Sequence, residues 1–191
     1  MQLSKLPNAL ALALDAHNQQ KRKGTQIPYI SHPMAVASIA LEFGASEDQA
    51  MAALLHDAIE DGGVLFAGLI EAQFGNHVLE LVQGCTDGTP DHTGKKAPWQ
   101  ERKTAYLKHL QDASDEVLLV SCSDKLHNAR AIVADLINEG PSVFDRFSST
   151  TEQTLWYYRQ LANIFTQRKC PPAKALEAAV TQMEALSTNS W

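Results

Sequence analysis

Residues 52–63 read AALLHDAIEDGG. His56 and Asp57 stand side by side at the end of an apolar run, Glu60 and Asp61 follow within about one turn, and Gly62 and Gly63 close the segment. Four titratable groups are costly to hold beside a core unless they are paired or used for chemistry. Adjacent helix positions differ by about 100° in direction, so His56 and Asp57 can reach one ion beyond their shared edge. Imidazole with carboxylate suits a borderline divalent metal such as Mn, Fe, Co, Ni or Zn. Two ligands do not complete a site, and an isolated His-Asp pair is more often a hydrogen-bonded or surface pair.

Two residues elsewhere can complete it. His32 lies in PYISHPMAV at the start of a helix, and Asp124 lies in LLVSCSDKLHNAR, inside the most apolar part of a long helix. A carboxylate in that setting needs a counter-charge or a metal. Each has a plainer reading: His32 as a helix cap, Asp124 as the partner of Lys125 or Arg130. Together they form an ordered H…HD…D set that is far more specific than any member. On a continuing helix Glu60, four residues past His56 and three past Asp57, shares the ligand face. There it could orient or deprotonate an attacking water, with Asp61 sharing that task. Acidic residues at a helix C-terminus oppose the dipole, which favours a functional reason for this pair. The two glycines would leave space for substrate.

The elements that position these residues read as helix after helix. The first covers 6–21, with Pro7 in its first turn. After the loop KGTQIPYI, Ser31 caps a helix that runs to Phe43 and ends at Gly44. Ser46 with Gln49 forms a capping box for a helix carrying HDAIED. Helices follow over 64–74, from Asn76 to Cys85, and from Pro98 to Gln111. Between them TDGTPDHTGKKAP reads as a mobile loop. Ser114 opens a long helix ending at Gly140-Pro141, and 149–169 and 173–187 give two more. VLLVS at 117–121 could be a strand, but its flanks make it buried helix. The fold class is all-α.

The 191 residues are most simply one domain over 1–191. No apolar run is long enough to span a bilayer. The N-terminus reads as helix and not signal peptide, so the expected compartment is the cytoplasm. Cys85, Cys122 and Cys170 are odd in number and lack zinc or CxxC spacing, which makes them idle reduced thiols. A net charge of −6 argues against nucleic-acid binding. The cations nevertheless gather near the motifs: Lys21, Arg22, Lys23, Lys95, Lys96, Arg102, Lys103, Lys125 and Arg130. That arrangement suits a small polyanion.

H…HD…D is similar to the signature of the HD-domain metal-dependent phosphohydrolases. RKGTQIPYISHPMAVA, AALLHDAIED, FGNHVLELVQGCTDG and DKLHNAR further resemble the hydrolase segments of Rel/Spo-type alarmone enzymes and of the stand-alone small alarmone hydrolases, over roughly residues 9–165. The resemblance implies a compact multi-helix HD bundle that removes pyrophosphate from the 3′ position of ppGpp and pppGpp, with one divalent ion, Mn²⁺. It implies His32, His56, Asp57 and Asp124 as metal ligands and Glu60 and Asp61 as the catalytic pair. It carries Arg22 and Lys23 to the nucleobase side, Lys103 to the phosphates, Asn128 to the ribose or base, and Tyr158 to the substrate's neighbourhood. Tyr158 reads equally well as a core aromatic. The partner is a nucleotide, with neither nucleic acid nor membrane, and a homo-oligomer is compatible.

The chain also departs from the family pattern. The stretch between Arg22 and Pro28 is one residue longer than RKSGxPY, which leaves adenine alarmones such as ppApp open. The length leaves no room for a synthetase domain, so the expected activity is degradation alone. The competing readings are an HD phosphohydrolase of NADPH or a nucleoside phosphate, and a nucleotide sensor without turnover.

Overall fold

The computed structural model describes residues 3–88 and 97–188. Among these, the chain forms α1 (Leu6–Ala16), α2 (Ser31–Glu42), α3 (Glu47–Leu55), α4 (Ala58–Gly62), α5 (Leu65–Phe74), α6 (Asn76–Cys85), α7 (Trp99–Asp112) and α8 (Asp115–Glu139). A 3-10 turn over Pro141–Arg146, α9 (Thr151–Gln167) and α10 (Ala173–Ser187) complete it. No β-strand occurs among the described residues; Lys21 and Pro28 form an isolated antiparallel bridge. The all-α expectation holds. The expected mobile segment, with Lys95 and Lys96, lies mostly outside the described residues.

The bundle is organised on α8, which packs against α2, α3, α6, α9 and α10. Leu118, Val120, Cys122, Leu126, Ala129 and Leu136 on α8 are all but sealed from solvent. VLLVS is buried helix because helices cover it on several sides. The capping residues work as their chemistry suggests. Ser46 Oγ accepts from the Gln49 amide while the Gln49 side chain accepts from the Ser46 amide. Ser114 Oγ accepts from the Val117 amide. Thr150 and Gln153 form a second capping box. Each such cap is worth about 1 kcal/mol. All three cysteines are buried and free.

Three expectations about the helices fail, and each failure reshapes the site. The first helix stops at Ala16 and does not reach residue 21. Gln19 takes φ +61°, and the chain then turns back on itself, with the Arg22 amide bonding to the Ile27 carbonyl and the Tyr29 amide to the Gln20 carbonyl. Ser31 does not cap α2. Ile30 takes that position without a side-chain bond, because the preceding turn already ties the Ser31 amide to the Pro28 carbonyl. Finally, the helix carrying HDAIED is broken: α3 ends before His56, and α4 starts after Asp57. Glu60 and Asp61 therefore fall in the first turn of the five-residue α4, where carboxylates are favoured, although Asp61 also stands next to its last residue. Gly62 leaves no room for substrate, whereas a Cβ on Gly63 would have nothing within 4 Å. A Cβ on Gly62 would meet the Phe66 ring at 2.6 Å, and Gly63 is needed for φ +92°.

Helix α6 approaches α8 through Gly84, where a Cβ would lie 2.7 and 3.0 Å from the two Val117 methyls. A β-branched side chain cannot swing clear. Gly84→Ala should therefore destabilise the chain by about 1–3 kcal/mol, although alanine is the better helix former. In a Val117→Ala background the same change should be neutral or stabilising. Urea denaturation of the four chains of this cycle measures the reversal, and equal effects in both backgrounds would refute the close approach.

Candidate metal centre and adjoining pocket

His32 enters from α2, His56 from the C-terminal edge of α3, Asp57 from the turn before α4, and Asp124 from the middle of α8. The break at His56-Asp57 lets two neighbouring residues face inward together. One donor atom each from His32, His56 and Asp124 lies within 4.8 Å of the others, and these three residues are buried. His32 Nε2 is 3.1 Å from Asp124 Oδ1, and His56 Nε2 is 3.6 Å from the same oxygen. Asp57 borders the group and is more exposed, with Oδ2 3.0 Å from His56 Nε2 and 3.7 Å from His32 Nε2.

The protonation pattern shows what this cluster can hold. His56 Nδ1 lies 2.9 Å from the Ala53 carbonyl oxygen, so Nδ1 carries the proton and donates it there. Nε2 then presents a lone pair. It is buried without a hydrogen-bond partner, and it faces two carboxylates that also offer lone pairs. A positive charge at Nε2, from a proton or from a metal ion, reconciles such groups. His32 has the same design: its Nδ1 is 2.7 Å from His127 Nδ1, leaving Nε2 for the cluster. His127 is pushed down to about 4 by burial and by His32 and Arg22, so it is neutral and can accept that bond. Burial also lowers His32, whereas burial of His56 is outweighed by Asp57 and Asp124, which raise it. A proton and a metal compete for that nitrogen. The two imidazoles and the Asp124 carboxylate thus fit a divalent cation of borderline softness.

Asp124 divides its two oxygens. Oδ2 accepts from Lys125 Nζ at 2.6 Å, and Oδ1 faces the imidazoles and accepts from Asn128 Nδ2 at 2.6 Å. Lys125 is therefore the lysine partner foreseen for Asp124, while Arg130 is exposed. Burial would raise Asp124, but Lys125, His32 and His56 hold it far below the usual carboxylate range. His32 does not cap its helix. Tyr29 donates its hydroxyl to Asp57 Oδ2 at 2.6 Å, and burial with that carboxylate keeps the phenol protonated.

Beside the centre lies a pocket of about 400 Å³, lined by Arg22, Lys23, Asn128 and Tyr158 among others. Arg22 donates to Asn128 Oδ1 at 2.8 Å and lies 5.7 Å from the Tyr29 ring centroid. Lys23 sits over the Phe147 ring. Tyr158 is both things that the sequence allowed, a buried residue and a pocket wall. Lys103 lines a smaller neighbouring pocket that shares the Tyr158 wall; it pairs with Asp87, as does Arg102. Glu60 is half-buried on α4. Asp61 is turned toward α1, accepting from Gln20 Nε2 at 2.9 Å and standing 3.9 Å from His17 Nδ1. Two contributors escaped the sequence reading. Tyr29 precedes His32 by three residues and His127 follows Asp124 by three, so both were marked by helical spacing around residues already chosen.

A helical bundle that aims two imidazoles and adjacent carboxylates at one point presents a candidate metal centre. The HD domain family model matches residues 9–163, and the chain belongs to that family. It is similar to the guanosine-3′,5′-bis(diphosphate) 3′-pyrophosphohydrolase MESH1 of Xenopus tropicalis, at 39% identity over 64% of this chain and 66% of that protein. It is also similar to the bifunctional (p)ppGpp synthase/hydrolase SpoT of Escherichia coli, at 34% identity over 85% of this chain. The matched part makes up 22% of SpoT, so the chain spans only part of the length of these relatives. Among solved structures, one described as a metazoan ortholog of SpoT that hydrolyzes ppGpp aligns with TM-score 0.72 and 27% identity, over 97% of this chain and 96% of that one. A Listeria monocytogenes structure aligns with TM-score 0.68 and 27% identity, over 83% of this chain and 99% of that one.

Tyr29 orients Asp57 without being able to bind a cation strongly itself. Tyr29→Phe should keep the fold and weaken divalent-metal affinity by about 10- to 100-fold, the range for losing a ligand's hydrogen-bond partner. Isothermal titration of the metal-free protein measures this. Unchanged affinity would remove Asp57 from the ligand set.

Proposed function

We propose that the chain acts as a single domain to hydrolyse the 3′-pyrophosphate of ppGpp and pppGpp, giving GDP or GTP and pyrophosphate. The observation that carries this reading is the Asp124–Asn128–Arg22 chain of hydrogen bonds, which joins a cation-binding cluster to a pocket walled by Arg22 and Lys23. A nucleotide with its 3′-pyrophosphate at the cluster would lay its nucleoside in that pocket. The family membership and the activities named for MESH1 and SpoT support the same reading.

In this proposal His32, His56, Asp57 and Asp124 hold one Mn²⁺. The ion supplies a Lewis acid that polarises the phosphoryl group and lowers the pKa of a nearby water. Glu60, one turn beyond the ligand pair, takes the proton from the attacking water. The water oxygen bonds to the phosphorus next to O3′, the P–O3′ bond breaks, and O3′ regains a proton from solvent. Asp61, anchored by Gln20 beside Glu60, shares that task by keeping the local water network in register. Lys103 meets the polyphosphate, exchanging part of its pairing with Asp87 for substrate oxygens. Asn128 and Arg22 hold the ribose and base side, and Tyr158 forms the wall behind them.

No helix among the described residues is long and apolar enough to cross a membrane. A cytoplasmic location and a nucleotide as the partner, without nucleic acid or membrane, belong to the proposal. A homo-oligomer is compatible with it.

Purified protein with Mn²⁺ should release pyrophosphate from ppGpp. Inertness on ppGpp with inorganic phosphate released from NADPH would replace this reading by that of a nucleotide phosphatase. Asp57→Ala should lose metal and activity together. Glu60→Ala should keep its metal, by elemental analysis, while kcat falls by about two to four orders of magnitude. Full metal occupancy in Asp57→Ala would show that the ligand assignment is wrong.

A further inference from the structure

The far end of the pocket carries a charged pair that the reaction does not use. Asp135 on α8 and Arg146 from the 3-10 turn both line it, and Arg146 Nη1 donates to Asp135 Oδ2 at 3.0 Å. Arg146 is also paired with Glu139, and its aliphatic stem crosses Gly24, where a Cβ would meet Cδ at 2.6 Å. The guanidinium is thus clamped between the loop after Arg22 and the end of α8. It fixes the Asp135 carboxylate in turn, and only Oδ2 of that carboxylate is engaged among the described residues.

The order along α8 gives this pair a place relative to the chemistry. Asp124, Asn128, Ala131 and Asp135 recur at intervals of four, three and four residues, which keeps them on one helix face. At about 1.5 Å of rise per residue, Asp135 lies roughly 16 Å along the axis from Asp124. A nucleotide with phosphate at the metal cluster and ribose near Asn128 presents the outer edge of its base to this end.

We infer that Asp135, held by Arg146, reads that edge and selects guanine. The inference rests on the nucleotide reading of the site proposed above. Guanine offers two adjacent donors, N1–H and N2–H₂, which one carboxylate accepts together. Adenine puts the N1 lone pair there, and a carboxylate repels it. Arg146, beside Asp135, can donate to a purine O6 or N7, which again suits guanine. A rigid acceptor whose partners are lost on binding the wrong base discriminates more strongly than a pocket fitted by shape alone. The extra residue between Arg22 and Pro28 is accommodated here as well, because the loop at Gly24 folds over Arg146 and leaves the pocket open.

The test compares kcat/KM for ppGpp and for ppApp with the Mn²⁺-loaded full chain. The wild type should favour ppGpp at least tenfold. Asp135→Asn should reduce that ratio by about ten- to a hundred-fold, mainly through KM for ppGpp, the range for losing hydrogen bonds to a charged group. Glu139→Gln, which loosens Arg146 and with it the hold on Asp135, should lower the ratio in the same direction but by less. Calorimetric titration with GDP and ADP reads the same preference without turnover. A wild type that favours ppApp, or an Asp135→Asn ratio equal to wild type, overturns the base assignment and leaves the hydrolase reading standing. Guanine-selective binding of GDP that depends on Asp135, without pyrophosphate release from either substrate, upholds the base assignment and overturns the proposed reaction. Equal binding of GDP and ADP by the wild type overturns the base assignment whatever the turnover.

Discussion

The structure depends on how it neutralises Asp124. A carboxylate in the middle of a buried 25-residue helix is untenable alone, and the desolvation of one unpaired ion costs several kcal/mol. The chain surrounds it from several directions. Lys125 supplies a charge from the same helix, Asn128 supplies a neutral donor one turn on, and α2 and α3 bring the two imidazoles. Lys125 satisfies Oδ2 with a full charge, while Oδ1 faces the two imidazoles, where a further positive charge is favoured. A second lysine in place of either histidine would remove the need for a metal and the reason for the site. The bundle's topology follows from this arrangement, since α2, α3 and α8 must converge at one depth, and α6 and α10 must cover α8 elsewhere.

The imidazoles are prepared before any ion arrives. Each has its Nδ1 committed, His56 to the Ala53 carbonyl and His32 to His127, so each Nε2 is directed at the same volume. Such fixed tautomers spare the reorganisation that a mobile ligand would require. The same economy links chemistry to recognition. Arg22 touches Asn128, which touches Asp124, and Arg22 also lies near the Tyr29 ring, whose hydroxyl holds Asp57. A substrate that displaces Arg22 from Asn128 therefore acts on groups attached to two ligands at once.

Much of this was legible in the sequence, for identifiable reasons. Periodicity located α8, α9 and α10 closely, with Ser114 acting through local chemistry, while the Thr150 cap, which the sequence reading passed over, moves the start of α9 to Thr151. The convergence of His32, His56 and Asp124 was readable because charged groups in apolar segments need partners. The failures came where tertiary contacts override periodicity. Residues 17–21 carry no helix breaker, yet they leave the helix because His17 and Gln20 are engaged together and Gln20 reaches Asp61 across the fold. The break at His56-Asp57 also has no glycine or proline to announce it. The Arg146 turn lies far in sequence from Gly24, so no local pattern could show that the two meet.

The break at His56-Asp57 explains more than it first suggests. In an unbroken helix, neighbouring residues diverge by about 100° and can share an ion only beyond their common edge. Breaking the helix relaxes that divergence, and the restart as α4 places Glu60 and Asp61 in a first turn, where amide groups favour negative charge. The HDxxED spacing is then a requirement of backbone geometry as much as of chemistry: two residues to turn the chain inward, two to restart the helix, and two to carry charge at its favourable end. Gly62 and Gly63 serve the exit from that helix, giving the Phe66 ring its place and the backbone its positive φ, which keeps the turn short enough for α5 to pack against α4 and α6.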